Sequence, residues 1–162
     1  LGLLDYPDIL VYNLDPGLLA QMRIRELKNG KIEVPVVAVV PGHLMGSGVG
    51  STAMGTGDYD IMTTDREEIR ESGLDQLRFG DFVAITNHDN TFGRSWRRGA
   101  MTIGIVIQSD CLIAGHGPGV TTLLASTTPI IVPKITKTAN LGHMLKIGRF
   151  RPKRKARKKT KK

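Results

Sequence analysis

The stretch Val34-Pro35-Val36-Val37-Ala38-Val39-Val40 is apolar throughout and rich in β-branched residues, which favour extended backbone. It follows Asn29-Gly30, a dipeptide that is typical of tight β-hairpins because both residues tolerate positive φ. We therefore predict a strand over 32–40, with Pro35 at an edge or bulge because proline cannot donate a ladder hydrogen bond. The run lacks polar alternation, so we expect cover on both faces, from another layer or a second subunit.

The rest of the chain repeats this pattern of short extended runs separated by turn residues. The further predicted strands are 7–14, 58–62, 82–86, 100–107, 120–124 and 130–132. Helix signals are few: Asp15-Pro16 as a helix start, a capping box from Thr64 to Glu67, and a terminal helix over 138–147. The polar stretch 87–98 is expected to be a loop. The prediction is a mainly β domain over 1–145, with a barrel-like or sandwich core of short strands and a few short helices.

Composition narrows the class of protein. The 162 residues are 40% hydrophobic, which suits one globular domain, and no apolar run is long enough to cross a membrane. Cys111 is the single cysteine, which excludes an internal disulfide and a cysteine-cluster zinc site. The chain starts at Leu1 without a basic and apolar leader, so we expect a cytoplasmic protein whose first residue is a processed end or a fragment boundary.

Positive charge is concentrated at the carboxyl end. Residues 146–162 carry 11 positive and no negative charges, whereas residues 1–145 carry 12 positive and 15 negative charges. A run of like charges repels itself, so we expect this tail to be disordered when free and suited to nucleic-acid phosphates, other anionic partners or a solubilising role. The candidate nucleic-acid residues are Arg149, Arg151, Lys153, Arg154, Lys155, Arg157, Lys158 and Lys159.

Two glycine-rich loops are the candidate binding sites. Residues 42–57 contain six glycines, and Gly46-Ser47-Gly48-Val49-Gly50 lacks both the dinucleotide spacing and the phosphate-loop lysine. The loop can still let its backbone approach a ligand or form an anion nest, and a tight crossover or subunit-packing loop is the alternative. The second loop is the glycine cluster around His116 at 114–119.

Three side chains near these loops are the candidates for chemistry. Asp58 and Asp60 flank Tyr59, so both point to one face if the segment is a strand. Such a pair can bind a divalent cation, divide acid and base roles, cap loop N–H groups or face solvent. His116 is the third, with Asp110 as the group that orients its imidazole. No specific metal or cofactor is identified. The full set of ligand-binding candidates is His43, Gly46, Ser47, Gly48, Gly50, Asp58, Asp60, Asp110, Gly115, His116, Gly117 and Gly119.

Several of these motifs carry a family resemblance. The chain resembles the C-terminal portion of the "domain of unknown function" family numbered 4438, over about residues 3–133. The motifs in order are Leu4–Pro7, His43–Gly50, Gly57–Ile61, Leu77–Asp81 and Gly115–Val120. The resemblance implies a mainly β fold, and it implies that longer relatives carry an additional N-terminal β region. It assigns no reaction and no catalytic residues.

Three functions compete. The first is a small polar or anionic ligand, bound at loops 43–60 and 110–119, with Asp58, Asp60 and His116 available for enzymatic chemistry. The second is association with nucleic acid through the basic tail. The third is a structural homo-oligomeric module whose apolar strands form interfaces.

Overall fold

A computed structural model describes residues 1–46, 57–90, 94–111 and 113–152 of the chain. The strands are β1 Gly2–Leu3, β2 Tyr6–Val11, β3 Arg25–Glu26, β4 Ile32–Val36, β5 Ala38–Val40, β6 Tyr59–Asp60, β7 Phe82–Asp89, β8 Ser95–Val106, β9 Gly119–Ser126 and β10 Ile131–Ile135. The helices are α1 Pro16–Gln21, α2 Arg66–Glu71 and α3 Leu141–Met144. The prediction of a mainly β domain with a few short helices is confirmed.

The described strands form two sheets. The larger has the order β1-β2-β9-β8-β7-β5, with β6 paired to the start of β9, and the smaller has the order β10-β4-β3. The larger sheet is open at β1 and β5, so the barrel alternative is wrong and the layered, sandwich-like alternative fits. Two pairings, β4 with β10 and β5 with β7, are parallel, and the others are antiparallel.

The hairpin predicted at Asn29-Gly30 is present, with β3 antiparallel to β4 and Gly30 at φ +72°. The predicted strand 32–40 is divided at Val37 into β4 and β5, which lie in different sheets. Pro35 lies beyond the last residue that β3 pairs with and is opposite Lys134 of β10. The strand is therefore open on one side at the proline, as its missing donor requires.

Both faces of β7 are covered within the chain over residues 82–85, which explains why this part of the strand is apolar throughout. Phe82 and Ala84 face a core shared with Val34 and Val36 of the small sheet. The alternate residues, such as Ile85, face a second core that includes α2 and the segments around residues 44 and 60. Residues 82–85 therefore need no partner subunit to be buried. Cover on both faces, which was expected for 32–40, is incomplete in β4, where Glu33 and Pro35 are only partly buried.

Three predicted boundaries are wrong. The N-cap of α2 is Asp65 rather than Thr64, because the Asp65 carboxylate accepts hydrogen bonds from the backbone N–H groups of Glu67 and Glu68. Much of the predicted loop 87–98 is strand, since β7 continues to Asp89 and β8 begins at Ser95. The terminal helix is only Leu141–Met144, with Asn140 as its N-cap. Within the described ranges, no helix has the length and apolar character that a membrane span needs.

Candidate ligand-binding site

The two glycine-rich regions meet on either side of the segment 59–63. Met45 forms a β-bridge to Ile61, and the Gly46 N–H donates to the Asp60 carbonyl at 2.8 Å. On the other side, the Ile61 N–H donates to the Pro118 carbonyl at 3.0 Å, and β6 pairs with β9 at Gly119. The backbone of residues 59–63 therefore runs between the first and second glycine loops. We call the surface formed by these three adjacent segments, residues 45–46, 58–63 and 115–119, the glycine-loop face.

The described glycines let these three segments approach each other closely. A Cβ on Gly117 would lie 1.9 Å from the Ile61 carbonyl oxygen. A Cβ on Gly46 would lie 2.5 Å from the Gly115 carbonyl oxygen, and one on Gly119 would lie 2.1 Å from Asp58 Oδ2. Protein atoms thus occupy the space beside all three glycines. The close approach that these glycines allow is therefore between segments of the chain, not between the chain and a ligand. Ser47, Gly48 and Gly50 lie outside the described residues.

The buried Asp60 carboxylate holds the His116 ring. The two atoms Asp60 Oδ2 and His116 Nδ1 are 2.7 Å apart, and Gln108 Nε2 donates to Asp60 Oδ1 at 3.3 Å. The Asp60 side chain is 7% exposed, whereas the His116 side chain is 39% exposed. A carboxylate that accepts from Nδ1 places the proton of the neutral imidazole there, so Nε2 is left as an acceptor.

The residue that orients His116 is Asp60 rather than the predicted Asp110. The Asp110 carboxylate accepts from Thr63 Oγ1 and from Arg66 Nη1, both at 2.8 Å. Partial burial raises the pKa of Asp110, but hydrogen bonds from Arg66, Thr63 and the Cys111 N–H outweigh it and bring that pKa below its usual value. The pairing register of β6 and β9 determines this partner of His116, because it places residue 60 beside the second glycine loop.

Asp58 lies beside Asp60, on the face predicted from the alternation of the strand. Asp58 Oδ2 and the Gln108 side chain both lie close to the position of a Gly119 Cβ, and Gln108 contacts Asp60. Asp58 Oδ2 is buried and accepts no hydrogen bond from any described residue. No three His, Cys, Asp or Glu side chains in the described ranges are close enough together to hold a metal ion.

A buried cation and a polar network lie beneath β6, on the side opposite to Asp58 and Asp60. The Arg94 guanidinium is 3.9 Å from the centre of the Tyr59 ring, and its Nη1 donates to the Asp58 carbonyl at 3.1 Å. Burial lowers the pKa of Arg94 and raises that of Tyr59. The Tyr59 ring also stacks on His88 at 5.0 Å between centroids.

His43 is paired with α2 and not with Asp58, Asp60 or His116. Its Nε2 lies 2.6 Å from Glu68 Oε1 of α2, and its side chain is 64% exposed. Among the tail candidates, Arg149 and Arg151 are described and exposed. Lys153, Arg154, Lys155, Arg157, Lys158 and Lys159 lie outside the described residues.

Sequence reasoning did not find Gln108 or the burial of Arg94. Gln108 follows directly after an apolar strand, which is a weak signal for a polar group at a strand end. Arg94 stands in a polar stretch with Arg97 and Arg98, where a solvent-exposed loop is the ordinary expectation. Its 6% exposure follows from the aromatic surface of Tyr59, which the sequence does not place beside it.

Comparison with known proteins gives the family. A family model described as "Domain of unknown function (DUF4438), C-terminal" matches residues 21–145, which is more than half of the chain. The chain belongs to this family. The resemblance inferred from the motifs is therefore confirmed, and the Asp58–Asp60 segment, Gln108 and the second glycine loop all lie within the DUF4438 C-terminal domain.

One solved structure is similar to this chain over most of its length. The structure described as "Crystal structure of TM1086" is 46% identical to this chain, with a TM-score of 0.78. The match covers 85% of this chain and 48% of TM1086, so the chain spans about half the length of that relative. No match was found among curated proteins.

Proposed function

We propose that the glycine-loop face binds a small polar molecule, with His116 and Asp58 as its principal contacts. The observation that carries this proposal is the 2.7 Å contact between the buried Asp60 carboxylate and a His116 ring that is itself partly exposed. A buried acid that fixes one nitrogen of an accessible imidazole is an arrangement used to position a proton acceptor.

The chemistry of the face favours a ligand that donates hydrogen bonds. The carboxylate of the partly buried Asp58 and His116 Nε2 are both acceptors, and the Asp60 carboxylate adds negative charge beside them. Hydroxyl or amino groups satisfy such acceptors, whereas an anionic ligand would be repelled by the two carboxylates. Of the polar and anionic ligands predicted from sequence, we therefore propose the polar class, such as a polyol or an amine.

The same geometry suits proton transfer. A ligand hydroxyl at hydrogen-bond distance from His116 Nε2 would lose its proton to the ring while Asp60 stabilises the imidazolium that forms. Binding is the primary proposal, and general-base chemistry is the reaction type that the dyad would perform on a bound hydroxyl.

Native mass spectrometry of the full chain, with a thermal-shift screen of polyols, amines and carboxylates, tests the proposal. We expect an adduct or stabilisation by a polyol or amine that is lost in Asp58→Asn and in His116→Ala. The matched controls Asp75→Asn and His143→Ala change residues outside the face and should retain it. The proposal is wrong if no compound binds, if carboxylates alone bind, or if both site variants keep the ligand.

A further inference from the structure

A cleft lies on the opposite side of the small sheet from the main core. It has a volume of about 710 Å³ and lies between the outer face of the small sheet and the segment that follows α3. Its size is within the range of pockets that hold sizeable ligands. None of the candidate ligand-binding residues named above lines it, so it is distinct from the glycine-loop face.

The cleft has an excess of positive charge. Arg23, Arg25, Lys134 and Lys146 line it, together with the single carboxylate of Glu33. Glu33 Oε1 contacts Arg25 Nη2 at 2.5 Å and Lys134 Nζ at 3.3 Å. Within the described ranges, Arg23 and Lys146 form no ion pair with a carboxylate. Four cations are thus opposed by one anion.

The two cations without an ion pair in the described ranges, Arg23 and Lys146, also share an unusual backbone conformation. Arg23 and Lys146 have φ values of +57° and +54°, in the left-handed region that side chains other than Asn and Asp rarely adopt. Each stands directly after the C-cap of a helix, α1 or α3, where glycine is the favoured residue. The third helix, α2, has Gly73 at the same position, with φ +66°.

The aromatic ring in the cleft is already in contact with protein groups. The Phe150 ring is 4.9 Å from the Arg149 guanidinium and 5.3 Å from the His143 ring, which meets it edge-on. A bound polymer would therefore meet cations but no free aromatic platform for stacking bases. This environment suits phosphates rather than bases.

The strongly basic tail begins at the rim of the same cleft. Pro152 lines the cleft, and residues 153–162 contain eight further Lys and Arg and no acid. A phosphate backbone is a continuous polyanion, so it can contact the cleft and the tail at once. We propose that this cleft is a sequence-independent binding site for the phosphate backbone of a nucleic acid, with Arg23 and Lys146 as its principal contacts.

Fluorescence anisotropy with a labelled 20-nucleotide oligouridylate, measured on the full chain over a series of NaCl concentrations, tests this inference. In the double variant Arg23→Gly/Lys146→Gly, we expect affinity at 100 mM NaCl to fall by about tenfold or more and the logarithmic salt slope to fall by about 1.4, as loss of two phosphate contacts requires. The melting temperature should not fall, because glycine is favoured at both positions.

The control Arg70→Gln/Arg98→Gln removes two exposed cations that do not line the cleft, and so makes the same change in net charge. It should bind like the unaltered chain. Equal losses in the two double variants would mean that only overall charge matters and would overturn the proposal. Polyglutamate binding as tightly as the oligonucleotide at equal salt would assign the cleft to acidic polypeptides and overturn it too.

Discussion

His88 illustrates how burial can determine the protonation state of a residue. Its side chain is 4% exposed, stacks on Tyr59 and has Nδ1 3.2 Å from Thr102 Oγ1. Burial, with a smaller contribution from the Arg94 cation, lowers the pKa of His88 from 6.5 to about 4. The ring is therefore neutral at physiological pH, and its protonation opposes folding.

The stability of the chain should therefore depend on pH through His88. The unfolded chain binds a proton at His88 below pH 6.5, whereas the folded chain does so only near pH 4, so stability falls as the pH falls through this window. We expect His88 to account for a loss of about 2 kcal/mol between pH 7 and pH 5. Urea unfolding of the unaltered chain and of His88→Gln over this range measures the difference. Parallel pH profiles for the two proteins would contradict it.

Among the elements, the close packing of the three segments of the glycine-loop face depends on glycines. Any other residue at these positions would force neighbouring atoms to move. In Gly117→Ala, the added methyl would collide with the Ile61 carbonyl, and we expect a loss of about 2–3 kcal/mol of unfolding free energy. Gly2→Ala is the matched control, because its Cβ would make only ordinary contacts, and we expect a change within about 0.5 kcal/mol. Equal unfolding midpoints for the two variants would show that the segments of the glycine-loop face are less closely packed than described.

The start of α2 offers a prediction that separates two adjacent residues. Asp65 accepts from two backbone N–H groups, and Thr64, the cap expected from the capping-box pattern, is exposed. Asp65→Ala should therefore cost about 1 kcal/mol and Thr64→Ala less than about 0.5 kcal/mol. Chemical denaturation of both variants measures this, and the reverse order would restore the expected cap.

Local patterns predicted the elements well where local chemistry decides them. Asn29-Gly30 made its hairpin, and the alternation of Asp58 and Asp60 placed both carboxylates on one face. The contact between Asp60 and His116 joins residues 56 positions apart, and the register of β6 on β9 determines it. Gln108 reaches Asp60 through the same kind of long-range pairing, because β8, which it follows, pairs with β9. This register cannot be read from the sequence. Asp110 is the acid nearest to His116 along the chain, which explains why it was predicted as the partner.

At the scale of the whole molecule, the domain presents two chemically different surfaces. The glycine-loop face offers acceptor atoms around a held imidazole, and the cleft beside α3 offers cations. The two sheets and their shared core separate them, so the two proposals rest on different residues. A ligand of one surface should bind equally well to variants of the other.

This separation is itself testable. The double variant Arg23→Gly/Lys146→Gly should retain any polyol or amine bound by the unaltered chain, because neither residue contacts the glycine-loop face. His116→Ala should likewise retain its affinity for the oligonucleotide. Anisotropy and thermal-shift measurements on both variants check this, and loss of both activities in either one would show that the surfaces act together.

The proposed function depends most directly on Asp60, which would hold the ring of His116 with its proton on Nδ1. Long-range ¹H–¹⁵N correlation NMR of the uniformly labelled chain, at a pH where the ring is neutral, reports the tautomer directly, and His116→Gln assigns the resonance. We predict the tautomer with a protonated Nδ1 and a bare Nε2, reverting to the Nε2-protonated form in Asp60→Ala. A His116 ring protonated on Nε2 in the unaltered chain, with no change in Asp60→Ala, would show that Asp60 does not hold the ring in this way.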